Sequence, residues 1–296
     1  MNGKARSYIF IVIAAFLWGC IGVFYKLLSA AGLSSLQSVA VRIILSAVFY
    51  TAYLLVTDRK ALKIRPRDFL YFVGTGICSL AFFNWCYFSC IDKSSMAVAA
   101  VLLYTAPIFV TLLSAALFAE KLTRLKIAAL VLTFCGCLLV TGAVGTGGRI
   151  TGGALLFGLG SGVGYALYTI FGKLALQKYS SVTVTAYSFI FGAVGLLPLT
   201  HFGEVGKALI TPGGAIGGVC IAVLCCILPY ILYTSGLKNA EPGRASMMAT
   251  LEPVVASVLG IAVYHEDATA GKILGIVMVV GAVILLSITG KEKSEN

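Results

Sequence analysis

Two histidines and eleven carboxylates in 296 residues leave little from which to build a catalytic centre. Acid–base pairs, nucleophile–base pairs and metal sites each need several such groups converging. Here both histidines sit at the edges of apolar runs and carboxylates are scarce, so an enzyme is not expected. Long polar segments are also missing, and that excludes an appended soluble domain of the kind that binds nucleic acid. Alternating apolar and polar residues, the signature of a barrel wall, do not occur either.

What is present is apolar: 59% of the residues are hydrophobic, 11% are charged and the mean hydropathy is +1.00. A bilayer core of about 30 Å takes roughly 20 apolar residues of helix. Ten such stretches occur, at about 8–28, 36–56, 69–89, 96–118, 125–143, 153–176, 183–202, 214–236, 245–265 and 270–289. The expected fold is an all-α membrane protein, with the lipid bilayer as its surroundings. The nine cysteines fall in or beside these spans. Their odd number and apolar setting point to small buried side chains, with no disulfide framework and no metal or other cofactor expected.

The net charge of +11 reads as topology. With the N-terminus in the cytoplasm, sixteen Lys and Arg fall on the inner side, four on the outer side and two, Lys26 and Arg42, within spans. That bias places both termini in the cytoplasm and the chain in the cell (inner) membrane as a multi-pass protein.

The stretch from Met96 to Lys126 occurs twice. A shift of 146 positions brings Pro107 onto Pro253, Glu120 onto Glu266, Thr123 onto Thr269, Lys126 onto Lys272, Tyr87 onto Tyr233 and Ser89 onto Ser235. Pro, Glu and Lys are residues an apolar helix tolerates least, so their coincidence marks a duplication. The halves are 1–143 and 153–290, joined by a glycine-rich linker at 144–152 and followed by a tail at 291–296. Five spans per half is an odd number, so the second half enters the membrane upside down. Two inverted five-helix repeats are the architecture of secondary transporters, which bind a small molecule between the halves and rock to release it.

The residues also carry a family resemblance. Phe16-Leu-Trp-Gly19 leading to Lys26, Arg42-Ile-Ile-Leu, Tyr104-Thr-Ala-Pro107 running to Ala119-Glu-Lys-Leu-Thr123, and Leu251-Glu-Pro253 running to Glu266, Gly271 and Gly275 resemble the drug/metabolite transporter superfamily, in particular its ten-helix EamA-type permeases. The resemblance covers essentially the whole chain. It implies a central cavity between helices 1, 3, 4, 6, 8 and 9, and export of amino acids or other metabolites. Where the family pattern usually has Leu-Gly-Glu after helix 9, this chain reads Tyr264-His265-Glu266.

Candidate site residues are the polar and aromatic groups inside the spans. Glu252, next to Pro253, is the leading one, as a carboxylate within a span and beside a carbonyl the proline leaves free; it can hold a cationic group or take up a coupling proton. A structural pairing with Lys26, Arg42 or a tyrosine is the competing role. Arg42, near a span end, reads as a snorkelling anchor ahead of an electrostatic one. Lys26 and Lys173, related by the repeat within one residue, are candidate gating charges at the two cavity mouths or interfacial anchors. The aromatic set is Trp18, Trp85, Tyr87, Tyr104, Tyr165, Tyr168, Tyr230 and Tyr233, with Asn84 beside Trp85. About half are expected to line the cavity, chiefly Trp85, Tyr104, Tyr168 and Tyr230, and the rest to form interfacial belts. Glu120 and Glu266 are expected to be solvated caps or hairpin locks. The protein is expected to act as a monomer or weak homo-oligomer on a small-molecule substrate.

Overall fold

The computed structural model of the chain describes residues 3–142 and 151–292, and among them all regular structure is helical. Among the described residues nine helices are long and apolar enough to cross a membrane: α1 (Ala5–Ala30), α2 (Ser35–Thr57), α3 (Pro66–Lys93), α4 (Met96–Phe118), α6 (Gly152–Ala175), α7 (Ser181–Leu199), α8 (Pro212–Asn239), α9 (Pro242–Tyr264) and α10 (Ala270–Ser287). The tenth, α5 (Arg124–Val140), has 17 described residues, about 25 Å of helix. Residue 143, the last of the expected first half, residues 144–150 of the expected linker and 293–296 of the expected tail lie outside the described residues. Gly152, expected in the linker, is already helical.

Side-chain caps mark most helix starts. Ser34 and Gln37 form a capping box at α2, and the hydroxyls of Ser95, Thr123, Thr151, Ser180 and Thr211 accept from backbone N–H groups of the first turns of α4, α5, α6, α7 and α8. Each cap contributes about 1 kcal/mol by satisfying a donor that the helix cannot. Pro66, Pro212 and Pro242 open α3, α8 and α9, where a missing N–H costs nothing.

The duplication persists down to single residues. α2 and α7 begin at Ser35 and Ser181, α3 and α8 at Pro66 and Pro212, α4 and α9 at Met96 and Pro242, and α5 and α10 at Arg124 and Ala270, each pair 146 apart. α4 and α9 both end in a left-handed residue, Ala119 at φ 52° and His265 at φ 55°. In each corner the next amide closes onto the helix, Glu120 N–H onto Ser114 O and Glu266 N–H onto Gly260 O. Each glutamate then meets the lysine six residues on, Glu120 with Lys126 at 2.8 Å and Glu266 with Lys272 at 3.1 Å.

Both α3 and α8 carry a π-helical segment in mid-span, Gly76–Ala81 and Val223–Ile227. In α8 Pro229 follows two residues on, with no N–H for the carbonyl of Cys225. α4 and α9 are interrupted as well, after Leu103 and after Ala249, just ahead of Pro107 and Pro253. Thr105 and Thr250 donate back to Leu102 O and Met247 O at these breaks.

Packing follows the inverted symmetry. α3 lies against α6 and, equivalently, α8 against α1, so that each half lends helices to the other's core. α4 meets α9, and α5 meets α10. The last pair touches backbone to backbone: a Cβ on Gly275 would sit 2.7 Å from Gly136 O, so only glycine permits that approach.

The two glutamate corners differ in burial. The Glu120–Lys126 side chains are each 3% exposed, and Glu120 is further held by Ser114 and by Gly243 N–H, 3.2 Å from Oε2. Lys126 also pairs with Glu241 at 2.8 Å, and Glu241 with Arg244 at 2.8 Å. Glu120 is therefore a buried lock between α4, α5 and α9, not a solvated cap. Glu266, at 53% exposure, is the solvated one.

Candidate functional site

Two adjoining spaces open where the halves meet. The first is walled by Trp18 of α1, Ser79, Leu80 and Phe83 of α3, Tyr165, Tyr168 and Thr169 of α6, and Tyr230 and Tyr233 of α8. The second lies between α4, α6 and α9 and is lined by Tyr104, Pro107, Tyr165, Ser246 and Thr250 among others. Tyr165 is a wall of both. The first space sits beside the π segment of α3, which turns Ser79 towards it; the second sits at the breaks in α4 and α9.

The aromatic walls brace one another. Trp18 meets Tyr230 edge-on with ring centres 5.2 Å apart, and lies 5.3 Å from Tyr233. Tyr168 meets Tyr230 edge-on at 5.0 Å. Each such pair adds about 1 kcal/mol beyond area burial and fixes ring orientation. Two of the hydroxyls are committed to holding α6 against α8, Tyr168 with Thr234 at 2.9 Å and Tyr233 with Thr169 at 2.7 Å. Ser79 and Ser246 are buried with their hydroxyls unbonded, so both spaces have polar groups available to a ligand.

The sequence candidates divide accordingly. Trp18, Tyr168, Tyr230 and Tyr233 come together in the first space and Tyr104 lines the second. Trp85 lines neither: it is 41% exposed and packs edge-on against Phe157 at 5.4 Å on the outside of the bundle. Asn84 is buried but turned inward on its own helix, its amide donating to Leu80 O at 2.7 Å. Tyr87 packs against Phe88 and the small core around Cys90 and Val98.

The cations also found particular places. Lys26 lies over the Tyr264 ring at 2.9 Å, tying α1 to the end of α9. Lys173 donates to the carbonyls of Leu237, Lys238 and Ala240 at 2.8, 3.1 and 2.8 Å, so it caps the C-terminus of α8. Arg42 does not snorkel; it is 8% exposed, inside the protein, with Nε unbonded. Glu252 is half-buried in the first turn after the α9 break. At that level α1 presses closely on α9, where a Cβ on Gly19 would fall 2.8 Å from Glu252 O.

Tyr165, Ser79, Phe83 and Thr169 carry more of the cavity than the sequence reading assigned them. Tyr165, Tyr168 and Thr169 share a helix face by their spacing of three and four, a signal available in the sequence. The turn of α3 that presents Ser79 is set by a π segment and has no such periodicity. Among the described residues no three His, Cys, Asp or Glu side chains approach closely enough to hold a metal ion.

Ten helices in two inverted repeats around an aromatic cavity define a multi-pass membrane transporter. The model of the EamA-like transporter family matches residues 5–142 and 152–288, and the chain belongs to that family. Among its relatives, an "Uncharacterized transporter" of Archaeoglobus fulgidus is 31% identical over 214 residues, 71% of this chain and 75% of that protein. The "Uncharacterized transporter YxxF" of Bacillus subtilis is 26% identical over 98% of this chain and 92% of its own. A solved crystal structure shares the fold with a TM-score of 0.79 at 15% identity, covering 97% of this chain and 98% of that one.

Proposed function

We propose that the protein is an exporter of small metabolites such as amino acids, resident in the cell membrane with both termini in the cytoplasm. The halves 1–143 and 153–290 rock about the central cavity to give alternating access. The observation that supports this most is the placement of the cavity: its walls come from α1, α3, α6 and α8, two helices from each half, so relative motion of the halves opens or closes it. Rings supply apolar contact, and Ser79 and the free hydroxyl of Ser246 supply hydrogen bonds. Coupling runs through Glu252, which takes up a proton in one part of the cycle.

The test is exchange of a radiolabelled metabolite panel across proteoliposomes containing the purified protein. Exchange of at least one metabolite, abolished by Tyr230→Ala, supports the reading, and no exchange across amino acids, organic cations and phosphorylated metabolites overturns it. Comparison of Glu252→Gln with the parent at several pH values tests the coupling. Unchanged pH dependence points to facilitated exchange without protons. A second reading, export of cationic aromatic compounds, draws on the ring-lined cavity and the carboxylate of Glu252; competition by cationic aromatic dyes in the same vesicles favours it.

A further inference from the structure

Both broken helices stop at the second space. The first segments of α4 and α9, Met96–Leu103 and Pro242–Ala249, are eight residues each and are related by the shift of 146. Leu103 and Ala249, the last residues of the two segments, both line that space. Two helix C-termini, each carrying the negative end of its dipole, are thus brought together from opposite halves.

What they present there is oxygen. A helical carbonyl accepts from the N–H four residues on, and for Leu103 and Ala249 that residue is Pro107 or Pro253, which has none. The amides at the breaks are already engaged: Tyr104 N–H donates to Ala100 O, Thr105 N–H to Leu102 O and Thr250 N–H to Met247 O. The second segments start at the same breaks with their positive ends, but each lacks a donor at its proline, and on α9 Glu252 in the first turn answers that end. Two hydroxyls of α9 complete the set. Ser246 is 2% exposed and lines the space, and its Oγ has no hydrogen-bond partner among the described residues. Thr250 lines it too; its hydroxyl donates to Met247 O, which leaves the lone pairs of the oxygen. A buried space with more acceptors than donors is completed by a cation.

We propose that the second space is a binding site for a monovalent alkali cation, held by Leu103 O, Ala249 O, Ser246 Oγ and Thr250 Oγ1. All four are neutral hard oxygens, which suit an alkali ion, whereas Ca²⁺ and Mg²⁺ take carboxylates and soft metals take Cys or His. No carboxylate, Cys or His is among the residues lining this space. Discontinuous membrane helices hold coupling ions in the same way, by unwound carbonyls and segment C-termini. The role of the ion in coupling rests on the permease reading above. One carbonyl comes from each half, so the ion bridges the halves and its binding biases their rocking. Ser246 keeps its hydrogen for a bound metabolite while its lone pairs face the ion, and Tyr165 is a wall of both spaces, so filling one favours filling the other.

The test is the melting temperature of the full-length protein in NaCl, KCl or choline chloride at one ionic strength, with metabolite exchange in proteoliposomes read in the same salts. Na⁺ or K⁺ raises the melting temperature over choline in a saturable way and speeds exchange at least about fivefold. Ser246→Ala removes an unpaired buried hydroxyl, so in choline it melts no lower than the parent. Its half-saturating salt concentration rises at least about tenfold, and Thr250→Val does the same while Thr250→Ser keeps the parent value. The proposal is overturned if neither cation stabilises more than choline does, or if the stabilisation survives Ser246→Ala and Thr250→Val unchanged. Exchange that runs equally in all three salts without stabilisation leaves the permease reading standing and removes the ion. Stabilisation lost in Ser246→Ala, with no metabolite exchanged in any salt, keeps the ion site and removes the permease reading.

Discussion

Ala119 and His265 hold the same left-handed corner in opposite orientations, φ 52° ψ 32° and φ 55° ψ 34°, and neither is glycine. A Cβ in that region crowds the following carbonyl at a cost of about 1–2 kcal/mol. His265→Gly is therefore expected to raise unfolding stability in detergent by about 1 kcal/mol, measured as a shifted melting temperature. An unchanged or lowered value would mean that His265 makes compensating contacts at the end of α9.

The equivalent glutamates predict unequal costs. Glu120→Gln leaves Lys126 buried with one of its two carboxylate partners gone, which costs about 3 kcal/mol. Glu266→Gln breaks a pair with one partner 53% exposed, worth about 0–1 kcal/mol. Denaturant titration of the two variants side by side separates them, and equal losses would contradict the buried lock.

Tyr168 and Tyr230 touch, yet their hydroxyls differ. Tyr168→Phe removes the bond to Thr234 and should cost about 1 kcal/mol. Tyr230→Phe removes a hydroxyl with no hydrogen-bond partner among the described residues and should leave stability within about 0.5 kcal/mol of the parent, with any effect appearing in substrate affinity instead.

Lys173→Met takes the donor from three carbonyls at the end of α8, and a loss of about 2 kcal/mol is expected from those charge-assisted bonds. Backbone hydrogen exchange at 237–240 should rise in this variant before it rises elsewhere.

Trp85→Ala serves as the outside control. Its indole packs on Phe157 at the lipid-facing surface, so metabolite exchange in proteoliposomes should stay within about twofold of the parent, whereas Trp18→Ala removes a cavity wall and should abolish it.

The spans, their number and the duplication were legible because hydrophobic length and the shift of 146 are properties of the sequence itself. Arg42 was not: snorkelling and burial use the same residue at the same depth, and only the packing of α2 under the π segment of α8 decides between them. Trp85 failed for a similar reason. Asn84, Trp85 and Tyr87 crowd one stretch, but at roughly 100° per residue Trp85 points about 100° away from Asn84 and about 160° away from Tyr87, and the π segment just before them resets which of those directions faces inward. Lys173 and Lys26 were recognised as end-of-helix charges, while their partners, a ring and three carbonyls, lie 64 to 238 positions away in the chain.

The two π segments have a bearing on history. A π segment arises when a residue is added to an α-helix without unwinding the rest, and here Gly76–Ala81 and Val223–Ile227 coincide within one residue once the halves are superposed in sequence. Separate additions after the duplication would have had to strike the same turn twice. One addition in a five-helix ancestor accounts for both, so the bend beside the cavity is older than the second half of the molecule.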